Sequence, residues 1–462
     1  MSLVSILRLG LFQGCLGCLA VIFAGLLNRV MISELNFPGL LVGGALAFEQ
    51  FVAPSRVLFG QISDSHPLVS RHRVPYVLLG AALFCSLAVL SIPVIFHVGR
   101  LLADGAQPPL LASGIVGLCG LFALYGLAIS LATTPYLALV IDRTSERERP
   151  RAVGIIWCML SVGIVVGAVA ISINLRNLDG ITDPAVLEPT LLAFMARVAA
   201  IVMGLTLVAV WGMEPARTHS SSADDSPEGS NSRDDSVTLR QSWTLITSSR
   251  QVLIFFTFVL LFTLGLFLQD PVLESYGAQV FGMPIAATAQ LNAFWGIGTL
   301  VGLLVAGLWI VPSLGKLPTA RLGCRLIVLS LALLLLCGLT ASVPVLQVVM
   351  LVFGMSAGIG TNSVLCLMLD LTLPEAAGTF VGVWGLAQAL SRALGKLIGG
   401  GLFDLGRLLP FQSGPYPAFA LVFAVELLVA LAAIQLLARI NVAQFREDTG
   451  RSLNRVLAME LG

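Results

Sequence analysis

The chain has 462 residues and a formal net charge of +1; hydrophobic residues make up 57% of it and charged residues only 11%. Soluble domains carry roughly 25% charged residues, so this composition excludes a water-soluble globular protein; the net charge says little about partners, and no nucleic-acid partner is expected. It suits a chain dissolved in a lipid bilayer, where each span must satisfy its backbone internally and is therefore a helix.

A helical span needs about 20 apolar residues. On that rule the apolar runs predict an all-α, polytopic protein with twelve transmembrane helices near 9–32, 39–62, 75–98, 110–140, 152–174, 190–212, 251–269, 285–311, 322–341, 343–371, 378–401 and 417–440. The first run lacks a short apolar core ending in a small-residue cleavage site, so it is expected to be kept as an anchor. Cys15 and Cys18 lie one turn apart in that span and read as small packing residues. Small-xxx-small pairs at Gly163/Gly167, Gly298/Gly302, Gly378/Gly382 and Gly395/Gly399 predict close helix packing within the chain.

The second span carries Glu49 and Arg56, seven residues apart on one face. The helix rise separates them by about 10 Å, too far for an easy direct pair, so each is expected to have another partner. Arg197 lies in the sixth span, Arg392 and Lys396 one turn apart in the eleventh, and Glu426 in the twelfth. Charges at such depth are costly and face a cavity or a partner. Two readings stand for Glu49 and Arg56, interhelical salt bridges or a polar lining for a ligand; Glu426 reads as scaffold.

At the end of the second span, Gly60 and Asp64 precede a loop holding Arg71 and Arg73. This G-x-x-x-D pattern before a basic cluster resembles the signature of the major facilitator superfamily, in which the aspartate caps a helix and the arginines meet carboxylates or carbonyl ends. It predicts a conformational latch, with a plain inner loop that follows the positive-inside bias as the alternative. A second charged loop, "DRTSERERPRA" at 142–152, reads as a solvated, internally paired face.

Residues 213–250 are rich in Ser and Asp and cannot bury enough surface to fold alone. They divide the chain into a six-helix half (1–212), a linker (213–250), a second six-helix half (251–440) and a tail (441–462). This is the plan of the same superfamily, two halves around a central cavity. If the N-terminus lies inside, the segments on that side hold 18 Lys and Arg and the outer ones only 4. The positive-inside rule then places both termini in the cytoplasm. No cluster of metal ligands stands out, and none of the four His lies in the middle of a span. A metal-centred ligand deep in the bundle would therefore need oxygen donors.

Four stretches narrow the resemblance: "LLNRVMISEL" (26–35), "RHRVPY" (71–76), "LQDPVLESYGAQVFG" (268–282) and "LDLTLPEAAGTFVGVWGLAQALSRALGKLIGGGLFDLGR" (369–407). Together they resemble the PucC/LhaA, or bacteriochlorophyll delivery, family, over about 8–440. The departure is at Pro271 and Ser275, which puts the local turn geometry in question. The resemblance implies a non-enzymatic assembly factor for light-harvesting or photosystem complexes in the inner, intracytoplasmic or thylakoid membrane of a phototroph. Its implied ligand is non-covalent chlorophyll or bacteriochlorophyll, and its implied partners are antenna or photosystem polypeptides and membrane lipid. The candidate pigment- or client-binding residues are Asn28, Arg29, Glu49, Arg56, Gln269, Asp270, Glu274, Tyr276, Gly378, Gly382, Trp384, Gln388 and Arg392. Of these, Gln269, Asp270 and Glu274 are expected at a polar outer helix end. Gly378, Gly382 and Gly385 are expected to form a flat surface flanked by Trp384 and Gln388. The competing function is a proton-coupled transporter of a small organic solute, with Glu49 and Arg56 as the coupling site. An enzyme of pigment modification lacks any nucleophile–base pair.

Overall fold

The computed structural model describes residues 3–66, 68, 71, 73–144, 149–178, 181, 183–214, 250–370, 377–408 and 414–441. Among them every regular element is helical. We number the helices α1 (Leu3–Ala20), α2 (Gly39–Phe51), α3 (Ser55–Ser65), α4 (Val74–Ala103), α5 (Pro108–Arg143), α6 (Arg149–Asn174), α7 (Pro184–Val210), α8 (Arg250–Phe267), α9 (Leu273–Phe281), α10 (Ile285–Val305), α11 (Lys316–Cys337), α12 (Val343–Asp370), α13 (Ala377–Arg407) and α14 (Tyr416–Leu437). Two continue past these limits through wider π-helical turns: α1 as far as Glu34, and α10 as far as Leu314.

Ten of these helical stretches are long and apolar enough to cross a membrane among the described residues. The predicted second and eleventh spans are helical as well. The second is split into the short apolar α2 and the more polar α3, and the eleventh, α13, carries Arg392, Lys396, Asp404 and Arg407. Several helices outrun their predicted limits. The first starts at Leu3 and the sixth at Pro184, because water-exposed turns extend a helix beyond its apolar run.

The helices pair as the glycines dictate. Within the first set, α1 packs on α6, and α4 on α5 and α7; within the second, α12 packs between α10 and α11, and α8 on α13 and α14. The sets meet along two seams, α6 on α10 and α2 on α13. Side chains are missing where backbones approach most closely. A Cβ on Gly163 would strike the Gly14 carbonyl, and one on Gly400 the Gly39 carbonyl. Lipid supplies no hydrophobic drive between helices, so such close van der Waals contact does much of the holding. We call the end of the bundle where α1 begins the near end, and the end holding the turns 34–39 and 281–285 the far end.

Candidate functional site

Two helices break in mid-bundle, each at a proline. Pro54 has no N–H to offer the Gln50 carbonyl, which accepts instead from Ala53 (3.0 Å), and α2 ends. Pro271 likewise leaves the Phe267 carbonyl to Asp270 (3.2 Å); the chain turns and resumes as α9. The seventh predicted span therefore does not stop at 269 but runs on, bent, to Phe281, where Gly282 closes it in the left-handed conformation (φ 64°). α13 packs against both α2 and α8, and so runs past both breaks. Interrupted helices of this kind leave polar backbone and side chains facing a cavity at membrane depth.

Charges converge between these breaks. Lys396 Nζ lies 3.8 Å from Glu49 Oε2, with the two side chains 8% and 20% exposed. This supplies the partner that Glu49 needs and joins α2 to α13 across the seam. The Arg392 guanidinium lies over the Phe267 ring at 4.8 Å. It lies within electrostatic range of Asp270, Arg56 and Glu49, and Arg56 within range of Glu49. Arg56 and Arg392 are both exposed, yet their charged neighbours come from both helix sets, so they line an interior, water-accessible chamber. Three cations (Arg56, Arg392, Lys396) meet two anions (Glu49, Asp270) there. The Phe267 and Trp295 rings pack edge to face at 6.3 Å beside them. A wall with excess guanidinium charge beside aromatic rings binds carboxylates and other electron-rich groups.

The far end is a closed junction. Arg29 Nη1 donates to Thr288 Oγ1 (2.7 Å), Arg29 Nη2 lies 3.4 Å from Glu34 Oε1, and Asn28 Nδ2 donates to the Asp270 carbonyl (3.0 Å). Asn292 donates to the Glu274 carboxylate. Gly25 makes room for that carboxylate, which a Cβ at 25 would strike. Asp404 on α13 accepts from the backbone N–H groups of Gly39 and Leu40, at 2.7 Å each. Ser172 donates to the Ala286 carbonyl (2.6 Å), and Gln279 to Ser33 (3.3 Å). Of these, Arg29–Thr288, Asn28–Asp270, Asp404 with Gly39 and Leu40, Ser172–Ala286 and Gln279–Ser33 join the two sets, whereas Arg29–Glu34 and Asn292–Glu274 each lie within one set.

Several expectations change. Gln269, Glu274 and Tyr276 do not form an exposed outer helix end; all three are buried, because α9 inserts between the sets. Tyr276 donates to the Leu334 carbonyl (3.0 Å) and packs against Phe281, Phe419 and Phe423, which makes it scaffold. Trp384 is no open wall: it is fully buried, edge-on to Phe255 at 4.6 Å. Gln388 is half-buried. Gly378 and Gly382 lie within α13, but their surroundings, and with them the flat surface expected there, fall outside the described residues. Glu426 is fully buried and faces the backbone N–H groups of Leu268 and Gln269 at the α8 break. The chamber thus keeps Glu49, Arg56, Asp270 and Arg392 of the candidates, and the junction takes Asn28, Arg29 and Glu274.

The latch residues also separate. Arg73 Nε lies 3.3 Å from Asp142 Oδ2, and its Nη1 donates to Ser63 Oγ (2.9 Å), tying the near ends of α3, α4 and α5 together. The helix cap comes from Glu214, which accepts from the N–H groups of Arg73 (3.0 Å) and Val74 (2.8 Å). Gly60 sits against Thr134 in α5, leaving 3.4 Å for a Cβ. Arg71 is half-buried, with a bridge from its backbone to Leu68, and the Asp64 side chain lies outside the described residues. Asp404, Asn292 and Glu214 escape sequence reasoning. For Asp404 and Glu214 there is a signal: α2 starts after Pro38 and α4 after Arg73, each with no Ser, Thr, Asp or Asn at that position to cap it locally.

This architecture has known counterparts. The nucleoside transporter NupG superimposes with a TM-score of 0.66 at 13% identity, covering 94% of this chain and 98% of the transporter. A bacterial homologue of the iron transporter ferroportin, in its inward-facing state, gives 0.65 at 14%, covering 95% and 99%. At such identity they share the fold alone, that of the major facilitator superfamily. Two relatives are nearer in sequence. Protein PucC of Rhodovulum sulfidophilum is 31% identical over 407 residues, 87% of this chain and 86% of the relative. The bacteriochlorophyll synthase 44.5 kDa chain of Rhodobacter capsulatus is 30% identical over 449 residues, 93% of each. The PUCC protein family matches residues 26–445, a stretch that includes both helix breaks, the charged chamber and the far-end junction, and the chain belongs to that family.

Proposed function

We propose that the protein is a non-enzymatic membrane factor in the assembly of chlorophyll- or bacteriochlorophyll-containing complexes, and that it holds the pigment in transit. The observation that carries this reading is the family match over 26–445, beside a relative named for bacteriochlorophyll. The chamber, with the α8 break and the junction beside it, suits such a ligand in three respects. The Arg56 and Arg392 guanidiniums can hold the carbonyl and carboxyl groups on the rim of a tetrapyrrole. The Phe267 and Trp295 rings offer an aromatic surface. Asn28 Oδ1 and Gln269 Oε1 are buried oxygens without a hydrogen-bond partner, and oxygen donors suit magnesium. When bound, the pigment would supply the light absorption that its client needs; the chain's part is to bind it, orient it and exclude water.

Purification in mild detergent from a pigment-producing host tests this directly. The wild-type protein is expected to carry a tetrapyrrole absorbance band, and Arg392→Leu to lose most of it while keeping its thermal stability. A colourless wild-type protein from such cells refutes the pigment reading. The second reading, proton-coupled solute transport, draws on the Glu49–Lys396 pair across the α2–α13 seam. Under it the protein is colourless, and Glu49→Gln abolishes proton-driven uptake in vesicles.

A further inference from the structure

Arg197 has neither the chamber nor the junction around it. Arg197 lies in α7, whose buried face is formed by Leu191, Phe194, Met195, Val198 and Val202 against α1 and α4. Arg197 is on the opposite, exposed face. Its Nε donates to the Ala193 carbonyl of its own helix at 3.2 Å. That turns the side chain towards the far end, where the Arg100–Glu188 ion pair (2.6 Å) marks polar surroundings. Ala193 is still five residues short of Glu188, about 8 Å by helix rise. The guanidinium is therefore held within the apolar part of the span, facing outwards. Charged groups at this depth normally face the interior or pair with one another.

We infer that Arg197 is the anchor of a docking face for a transmembrane helix of another protein, one that carries a carboxyl side chain at matching depth. The face around it is shaped for a helix. Ala193, Ala196, Ala200 and Gly204 lie exposed on the same side, and a Cβ on Gly204 would meet nothing within 4 Å. Small residues there let a second backbone come close enough for the guanidinium to reach a carboxyl. Charge complementarity selects the occupant. A second copy of this chain related by a two-fold axis on this face would set Arg197 against Arg197, and a plain apolar helix would leave the guanidinium without its acceptor. This inference does not depend on pigment in the chamber, since Arg197 lies on a different face of the bundle.

The test uses the full chain in phosphatidylcholine vesicles, with a donor dye on an appended tag. The probes are synthetic leucine–alanine helices of about 20 residues bearing an acceptor dye and Glu, Gln or Leu at the centre. Energy transfer is expected to show the Glu helix binding about tenfold more tightly than the Leu helix. Arg197→Leu should erase that difference, and Arg197→Lys should keep part of it. Gly204→Leu, which leaves the charge in place, should weaken binding of the Glu helix by closing the face. Both positions face outwards, so the variants should unfold at the wild-type temperature. Equal binding of the Glu and Leu helices overturns the inference, as does an Arg197→Leu variant that still prefers Glu; in either case the arginine serves the lipid interface only. Energy transfer between differently labelled copies of the chain that depends on Arg197 would overturn it in favour of self-association. A change in pigment absorbance in Arg197→Leu with peptide binding unchanged would overturn it in favour of a pigment contact.

Discussion

Removing the Asp404 carboxylate should release the far end of the bundle. Asp404 accepts from two backbone N–H groups, those of Gly39 and Leu40, at 2.7 Å each. These are the first donors of α2, which has no cap of its own. Hydrogen bonds to a charged group contribute about 1.5–3 kcal/mol each, and a negative charge at a helix start adds roughly 0.3–1 kcal/mol. Leu40 is exposed, so water replaces part of this when the carboxylate is lost. A net loss of about 2–3 kcal/mol follows. The bonds cross the α2–α13 seam and exist only while its far end is shut, so the whole loss falls on the closed form. At 1.4 kcal/mol per factor of ten, Asp404→Ala should shift the balance towards opening by roughly 30- to 150-fold. Ser33 sits across the same end, bonded to Gln279. A Ser33→Cys reporter in nanodiscs should thus react with a hydrophilic maleimide at least ten times faster in the Asp404→Ala background. The native cysteines add little signal, since all eight are buried or half-buried. Unchanged labelling, with the protein folded, refutes the reasoning. A lowered melting temperature without faster labelling would show that the carboxylate holds the fold and does not bias the conformation.

Three further outcomes are expected. Lys396→Met leaves Glu49 without the cation 3.8 Å away and should cost about 1–3 kcal/mol; adding Glu49→Gln should recover part of it, and a thermal double-mutant cycle measures the coupling. Glu214→Gln weakens the cap on the first N–H groups of α4, for a loss of about 1 kcal/mol; faster tryptic cleavage after Arg73 reports it. Reporter fusions at 180 and 225 should lie on opposite sides of the membrane, with 225 cytoplasmic, as the bias of 18 to 4 in Lys and Arg requires; the same side for both refutes the topology.

The helical, membrane-embedded character of this protein was legible in its sequence, because apolar runs of this length leave the backbone no alternative to helix. The family was legible as well, through motifs such as "LLNRVMISEL" and "RHRVPY". So was the depth of Glu49, Arg56, Arg392 and Lys396, since helix rise converts position in a span into height. Which of these charges meet was not, because partners such as Glu49 and Lys396 are separated by nearly the whole chain and by a seam that spacing does not describe. The proline at 271 put the local turn in question and the one at 54 lay inside a span read as continuous, but only the packing of α13 past both breaks turned two kinks into one chamber. Burial was misjudged where a polar motif follows an apolar run. Gln269 and Glu274 read as an outer helix end, whereas α9 carries them back between the two sets, where Asn292 and the space at Gly25 receive the Glu274 carboxylate. Asp404 shows the limit most clearly: a helix with no local cap predicts that some acceptor must come, and only the tertiary structure decides that it comes from 365 residues further along the chain, since hydrogen bonding constrains chemistry and distance in space, not position in the sequence.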